Sequence, residues 1–398
     1  MNNNKTQRTG SVFNDQMAMV ERHDLHCWMI TNWPRLKSVS MPDKVDRSKA
    51  ESFSLKIILA IINDEFRATL YLITMKKFYL FVIASCVFCF CQGCGNNSSA
   101  TAHGPASKKL RLAFVTNTTN DFWAIVRHGC NGAAQNLGNV DLDFRFFTGT
   151  TVEEQEKILS DLVTNGVDGI AISPIDAEKE TDFLNQIAAK TLLVCVDSDA
   201  VNSKRVCFIG SDNIAAGKQT ADLVKAALPQ GGKIILCVGY PNAQNAKDRI
   251  QGLQEGLAGS NIQIIDTMAD ATKTDIAQKN AQEAMAKHPD LAGLVGLYSY
   301  NGPAILTAVR GAGKTGQIKI VCFDDDNDTL AGIATGEIYG TVVQISTRMG
   351  YETIKRMDKY LCGDKTQLPQ TNILFRSLAV NKAMVESLQV WHDNMLQP

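Results

Sequence analysis

The sequence predicts an α/β protein built from two doubly wound, parallel-sheet lobes, on three observations. From Leu110 onward, short apolar runs alternate with amphipathic stretches, the rhythm of parallel strands linked by crossover helices. The alternation comes in two series of about five units each, more than one sheet would take. Polar and aromatic residues collect just past the apolar runs, and open parallel sheets hold ligands beyond the carboxyl ends of their strands.

The first series has strands expected over 110–116, 142–147, 169–173, 192–197 and 206–210. These runs are continuously apolar, as strands covered on both faces require. After Val152, a helical spacing puts Ile158, Leu159, Leu162 and Val163 on one face, and Asn165-Gly166 supplies the stop. The second series has strands over 233–238, 262–268, 293–297, 318–323 and 339–343. Its helices are expected over 215–228, 246–258, 275–287 and 302–312. A long helix over 347–362 then leads to a last strand over 373–380.

Composition narrows the function. The 398 residues are 45% hydrophobic and 20% charged, enough to bury a large core. Lys and Arg total 40 against 41 Asp and Glu, a net charge of -1 that speaks against a general nucleic-acid binder. No long apolar run recurs, which excludes a polytopic membrane protein.

One apolar segment stands apart. Met75-Lys76-Lys77 precedes an uncharged run from Phe78 to Phe90, which ends at Cys91-Gln92-Gly93-Cys94 before the chain turns small and polar. A basic start, a short apolar core and a small residue before Cys are a signal-peptide arrangement. The segment resembles a bacterial lipoprotein signal, with Cys94 the lipidated residue and Cys91 standing where Leu is usual. Residues 1–74 are polar and aperiodic, and translation is expected to begin at Met75. Residues 75–93 are then the signal and 94–107 a flexible tether. His23, His26 and Cys27 lack a second cysteine pair and are set aside as a zinc site. Past Cys94 the cysteines are Cys130, Cys195, Cys207, Cys237, Cys322 and Cys362; four sit in strand-like runs and read as buried apolar residues.

The strand ends carry the candidate site. Thr116 to Trp123 follow the first strand, Asp197-Ser198-Asp199 the fourth, and Lys247-Asp248-Arg249 stand in the loop opening helix 246–258. In the second series, Tyr298 to Asn301, Asp324-Asp325-Asp326 and Gln344 each follow a strand. Aromatic faces stack on the C–H faces of a sugar ring, while Asp, Asn, Arg and Gln pair with vicinal hydroxyls.

These residues, in this order, resemble the ribose-type periplasmic solute-binding proteins, whose type I periplasmic binding protein fold is shared by lactose-repressor-type effector domains. The resemblance spans about 109–391. It rests on Val115 to Trp123, on Asp197 ahead of Ile209-Gly210-Ser211-Asp212-Asn213, and on Arg249-Ile250-Gln251-Gly252-Leu253. His288-Pro289-Asp290, Phe323-Asp324 and Thr341-Val342-Val343-Gln344 complete it. It implies sugar contacts at Thr116, Asn120, Phe122, Trp123, Asp197, Arg249, Asp324 and Gln344. Ser198 stands where ribose binders carry an Arg. An aromatic expected near Ala271 is missing, with Tyr298 or Tyr300 to supply that face and Asn301 to serve for the expected Asn.

The resemblance also implies a three-segment hinge, with lobes over 108–211 plus 346–373 and 212–345 plus 374–391. It implies a monomeric protein without cofactor, metal or catalytic residue. Such a protein delivers a monosaccharide or polyol to the permease of an ABC transporter, or reports it to a membrane sensor kinase. Competing signals fail on spacing. Gly311-Ala312-Gly313-Lys314-Thr315 has Ala308 where a P-loop needs its first Gly. Asp324 to Asp328 begins like a calcium loop, but Thr329 and Thr335 replace its Gly and Glu. No G-x-G-x-x-G follows the first strand, and His103, His128, His288 and His392 avoid the strand ends, which argues against an enzyme.

Overall fold

Continuous apolar runs become buried strands, and the intervening amphipathic segments become the helices that cover them. The computed structural model describes residues 109–386, which lie in a single unit of the chain. The first lobe runs β1 (Leu110–Val115), α1 (Asp121–Leu137), β2 (Val140–Arg145), α2 (Val152–Thr164), β3 (Gly169–Ile172), α3 (Ala177–Ala188), β4 (Leu192–Val196) and β5 (Cys207–Ser211). The second runs α4 (Asn213–Ala227), β6 (Gly232–Val238), α5 (Gln244–Leu257), β7 (Ile262–Ala269), α6 (Thr274–Lys287), β8 (Leu291–Gly296), α7 (Asn301–Gly311), β9 (Lys319–Phe323), α8 (Asn327–Thr335) and β10 (Gly340–Val343). The chain then returns through α9 (Ser346–Leu361) to β11 (Ile373–Phe375) and β12 (Leu378–Asn381).

The sheets share one strand order: β2-β1-β3-β4-β5-β11 and β7-β6-β8-β9-β10-β12. In each, the order reverses beside its first strand, and such a reversal opens a crevice at the strand ends. Apolar side chains pack both faces of the first sheet, with Leu112, Phe114 and Val194 on one and Ile170, Ile172 and Leu193 on the other. Ile234, Leu236, Val295 and Phe323 anchor the second core.

Helix α9 belongs to the first lobe. It lies against α1 closely enough for Cys130 Sγ to meet the Gly350 carbonyl at 3.4 Å. The chain therefore passes between lobes after β5, after β10, and between β11 and β12. That last passage corrects the single strand expected over 373–380. Ile373 to Phe375 pair with β5 in the first sheet, while Leu378 to Asn381 pair antiparallel with β10 in the second. The second sheet is thus not wholly parallel.

Other segments settle as follows. Helix α5 begins at Gln244, so Lys247 to Arg249 lie within its first turns rather than in a loop. Asp326 is the N-cap of α8, its side chain accepting from Asp328 N, and the run that began like a calcium loop is that helix start. Gly311 ends α7, with Ala312 as its C-cap. Cys130, Cys195, Cys207, Cys237 and Cys322 are buried and Cys362 is exposed; all six are free thiols. Cys94, the signal segment, the tether and residues 1–74 lie outside the described residues, as do His103 and His392.

Candidate functional site

Each sheet ends its fourth strand in the same device. Asp197 follows β4 and Asp324 follows β9, with φ of 65° and 64°. A left-handed backbone is unfavourable for a residue with a Cβ, though Asp tolerates it, and it persists where surrounding structure enforces it. It turns the chain sharply and aims each carboxylate into the space between the lobes. Both are buried.

Arg249 joins them. It is only 2% exposed and sits in the second turn of α5. Its Nε donates to Asn213 Oδ1 at 2.9 Å and its Nη1 to the Leu297 carbonyl at 2.7 Å. The guanidinium carbon lies 4.4 Å from the centroid of Phe323. Two nitrogens and one face are thus used to hold the group still. Nη2 has no hydrogen-bond partner and lies 3.8 Å from Asp197 Oδ1 of the other lobe. The close approach of α4 to α5 makes this placement possible: a Cβ on Gly217 would stand 2.2 Å from the Arg249 carbonyl, and one on Gly252 2.1 Å from that of Ile214.

The carboxylates are tethered on one side only. Asp197 Oδ2 accepts from Ser173 Oγ at 3.1 Å and from Asn245 Nδ2, across the cleft, at 2.9 Å. Asp324 Oδ1 accepts from Gln344 Nε2 at 3.0 Å, and Gln344 Oε1 accepts from Ser211 Oγ at 2.8 Å, linking two hinge passages. Burial pushes both acids up from the usual carboxylate range, Asp324 to about 7, with Arg249 pulling each the other way.

At the mouth of the first lobe, Asn120 is the N-cap of α1, yet its side chain makes no capping bond. Its Oδ1 is buried without a partner. An N-cap Asn ordinarily satisfies a helix N–H, and a broken local rule marks a functional position. Phe122 and Trp123 stand edge to face, centroids 4.9 Å apart, with Trp123 Nε1 donating to Asn117 Oδ1.

These groups close around a small cavity of about 20 Å³, lined by Asn117, Thr118, Asn120, Phe122, Trp123, Asp197, Asn245, Arg249, Tyr298, Ser299, Asp324 and Gln344. Residues 112–365 match the family described as "Periplasmic binding protein domain". The chain belongs to the periplasmic binding protein family.

Relatives agree over nearly their whole length. This binding protein is 26% identical over 276 residues to the ribose import binding protein RbsB of Salmonella typhimurium, covering 68% of this chain and 90% of that one. It is similar in structure to an ABC transporter solute-binding protein from Burkholderia graminis, solved with D-arabinose. That match has 26% identity and a TM-score of 0.65 over 74% of this chain and 99% of the other. A glucose-galactose binding protein, GanP of Geobacillus stearothermophilus, shares the fold at 24% identity and a TM-score of 0.65. The fold is the type I periplasmic binding protein fold, two lobes on a three-segment hinge.

Of the residues expected at the site, the binding protein gathers Asn120, Phe122, Trp123, Asp197, Arg249, Tyr298, Asp324 and Gln344 around one cavity. Three stand behind it. Thr116 Oγ1 donates to the Thr118 carbonyl and accepts from Phe147 N, bracing the loop after β1. Ser198 is fully buried outside the cavity wall. Asn301 accepts from Tyr298 N at 3.0 Å and donates to Asp270 Oδ2 at 2.9 Å, so it holds the loop that presents Tyr298 and Ser299. Tyr300 donates to Asp270 rather than facing the cavity, which leaves Tyr298 as the aromatic of the second lobe. Burial pushes Asp270 up to about 6 against these bonds. Asn117, Thr118, Asn245 and Ser299 also line the wall, though none was among the individual contacts expected. All four lie within a few residues of expected ones, and the polar clusters past β1 and β8 were the signal for three of them.

Proposed function

We propose that this binding protein captures a neutral monosaccharide or similar polyol between its lobes, without chemistry, and hands it to an ABC transporter permease. The observation that carries the reading is the Asp197–Arg249 pair, one partner from each lobe, beside buried atoms left unpartnered. Arg249 Nη2, Asn120 Oδ1 and Ser299 Oγ belong to residues that border the cavity, and none has a hydrogen-bond partner. Buried polar atoms are rarely left so, since each costs about 1–3 kcal/mol. A ring of vicinal hydroxyls supplies donors and acceptors together, and Phe122, Trp123 and Tyr298 offer apolar faces. The printed names of the relatives, ribose import and D-arabinose-bound proteins among them, support the ligand class and the transport role.

With Leu374 and Phe375 paired to β5, the last crossing falls at Arg376-Ser377, and the lobes are taken as 109–211 plus 346–375 and 212–345 plus 378–386. Both contribute contacts, so ligand favours the closed form through interactions the open form lacks. Lipidation at Cys94 would anchor the protein on the outer face of a bacterial membrane, two or more acyl chains holding stably where one holds marginally. A thermal-shift screen over pentoses, hexoses and inositols tests the ligand class. A sugar should raise the melting temperature; a response confined to an amino acid or nucleotide would contradict it. Mass spectrometry of the native protein tests the anchor: a diacylated N-terminal Cys94 is expected, and an N-terminus at Met1 or an unmodified Cys94 refutes it.

A further inference from the structure

A second set of contacts crosses between the lobes outside the cavity wall. Lys247 Nζ on α5 lies 2.7 Å from Glu178 Oε1 on α3, and Asn242 Nδ2 donates to Asp176 Oδ2 at 3.3 Å. None of the four borders the cavity. The first-lobe side of this seam is stiff. Glu180, fully buried, accepts through one oxygen from the N–H groups of both Ile175 and Asp176 at 2.9 Å. Gln155, also fully buried, donates to the Thr116 and Ser173 carbonyls. The loop after β3 is therefore clamped from beneath and presents Asp176 and Glu178 at a fixed place. On the other side, Asn242 and Lys247 flank Asn245, which reaches Asp197 from the same helix start.

We propose that Asp176 and Glu178, facing Asn242 and Lys247, form a clasp that sets how much of the protein is closed before a sugar arrives. It thereby tunes affinity without touching the ligand. A contact made only in the closed form shifts the open–closed equilibrium by its own free energy. Apparent affinity then scales with the closed fraction. The ion pair is partly exposed, Lys247 at 35% and Glu178 at 76%, so its effect is modest and salt-sensitive. Modest size suits a device that adjusts affinity without locking the lobes shut. The inference rests on the two-lobed capture reading above.

Charge reversal tests it in the full chain: Glu178→Lys, Lys247→Glu and the double exchange, titrated calorimetrically with D-ribose, D-arabinose, D-glucose and D-galactose. Each single reversal should weaken whichever sugar binds by about 3- to 10-fold at low salt, and the double exchange should recover to within about 2-fold. The gaps should shrink in 1 M salt, where screening is short-ranged (about 3 Å). Unchanged affinity in both single variants, or a double variant as weak as the singles, overturns the clasp. Should no sugar bind the wild type, the capture reading fails. Interlobe distances by electron–electron resonance, without ligand, then decide the clasp separately. Single reversals must lower the closed fraction and the exchange must restore it.

Discussion

Asp197 and Asp324 hold equivalent places in their lobes, at the end of the fourth strand, yet their partners differ in kind. Asp324 is bonded to Gln344 at a hinge passage, and the charge of Arg249, from its own lobe, acts on it. Asp197 is bonded by Ser173 from its own lobe but by Asn245 from the other, and its ion pair with Arg249 also crosses the cleft. Opening the lobes would strip Asp197 of both cross-cleft partners and leave those of Asp324 in place. Shared backbone geometry therefore serves two settings: the partners of Asp324 stay within its own lobe and the hinge, while two of those of Asp197 come from across the cleft.

Arg249 offers the strongest way to break this contrast. Arg249→Met removes the group both acids face and leaves them buried together. Sugar affinity should fall by about 2–5 kcal/mol, read by calorimetry. The melting temperature should fall too, because the bonds to Asn213 and the Leu297 carbonyl go with it. A variant that binds normally would detach Arg249 from the site.

Next in size is the seam that seats Arg249. Gly252→Val would drive a side chain into the Ile214 carbonyl, 2.1 Å from where its Cβ must sit. Overpacking of this kind costs about 1–3 kcal/mol, so the unfolding midpoint in urea should drop and binding should weaken with it. Stability lost without any change in affinity would show that the α4–α5 seam does not position the site.

Titration probes the Asp324 side of the contrast. Asp324 is pushed to about 7 in the folded protein, against about 3.9 for a solvated Asp. The folded state therefore binds the extra proton across that window. The stability this group contributes is full at the acid end and is lost as pH rises to about 7. Asp324→Asn mimics the protonated form. Without ligand, it should melt roughly 2–4 °C above wild type at pH 8, with the gap closing toward pH 4. A gap of the opposite sign, widening as pH rises, would mean that Asp324 is held ionised. The same substitution should weaken sugar binding, since the charged acceptor is gone.

The smallest effect sharpens the capture reading. Ser299 Oγ has no protein partner to lose. Ser299→Ala should leave the ligand-free melting temperature within about 1 °C, while affinity drops by about 0.5–1.5 kcal/mol. Loss of stability with intact affinity would make Ser299 a structural residue.

Much of this was legible in the sequence, for physical reasons that also mark where legibility stops. Buried parallel strands must be apolar throughout, so Leu112 to Val115 or Leu192 to Val196 announce themselves. Position past a strand end then pointed to Asp197, Asp324 and Gln344. Direction is another matter: loops have no period, so nothing in the order Thr116-Asn117-Thr118 tells which side chain faces the cavity and which braces the turn. Hydrogen bonding decides, with Thr116 turned toward Thr118 and Phe147 and Asn117 toward Trp123. Asn245 was hidden because α5 starts two residues before the expected boundary. The split between β11 and β12 carries no Gly or Pro; Arg376-Ser377 interrupts an apolar run that would suit one strand as well as two.

In the proposed capture, both lobes hold a single monosaccharide through the Asp197–Arg249 pair. Calorimetric titration of the purified chain with pentoses and hexoses, for wild type and Asp197→Ala side by side, tests it most directly. One site per wild-type chain is expected for at least one sugar. A loss of about 2–5 kcal/mol is expected in the variant, which leaves Arg249 buried without its cross-cleft partner. Saturation by an amino acid or nucleotide with no response to any sugar, or a sugar bound equally well by Asp197→Ala, would contradict it.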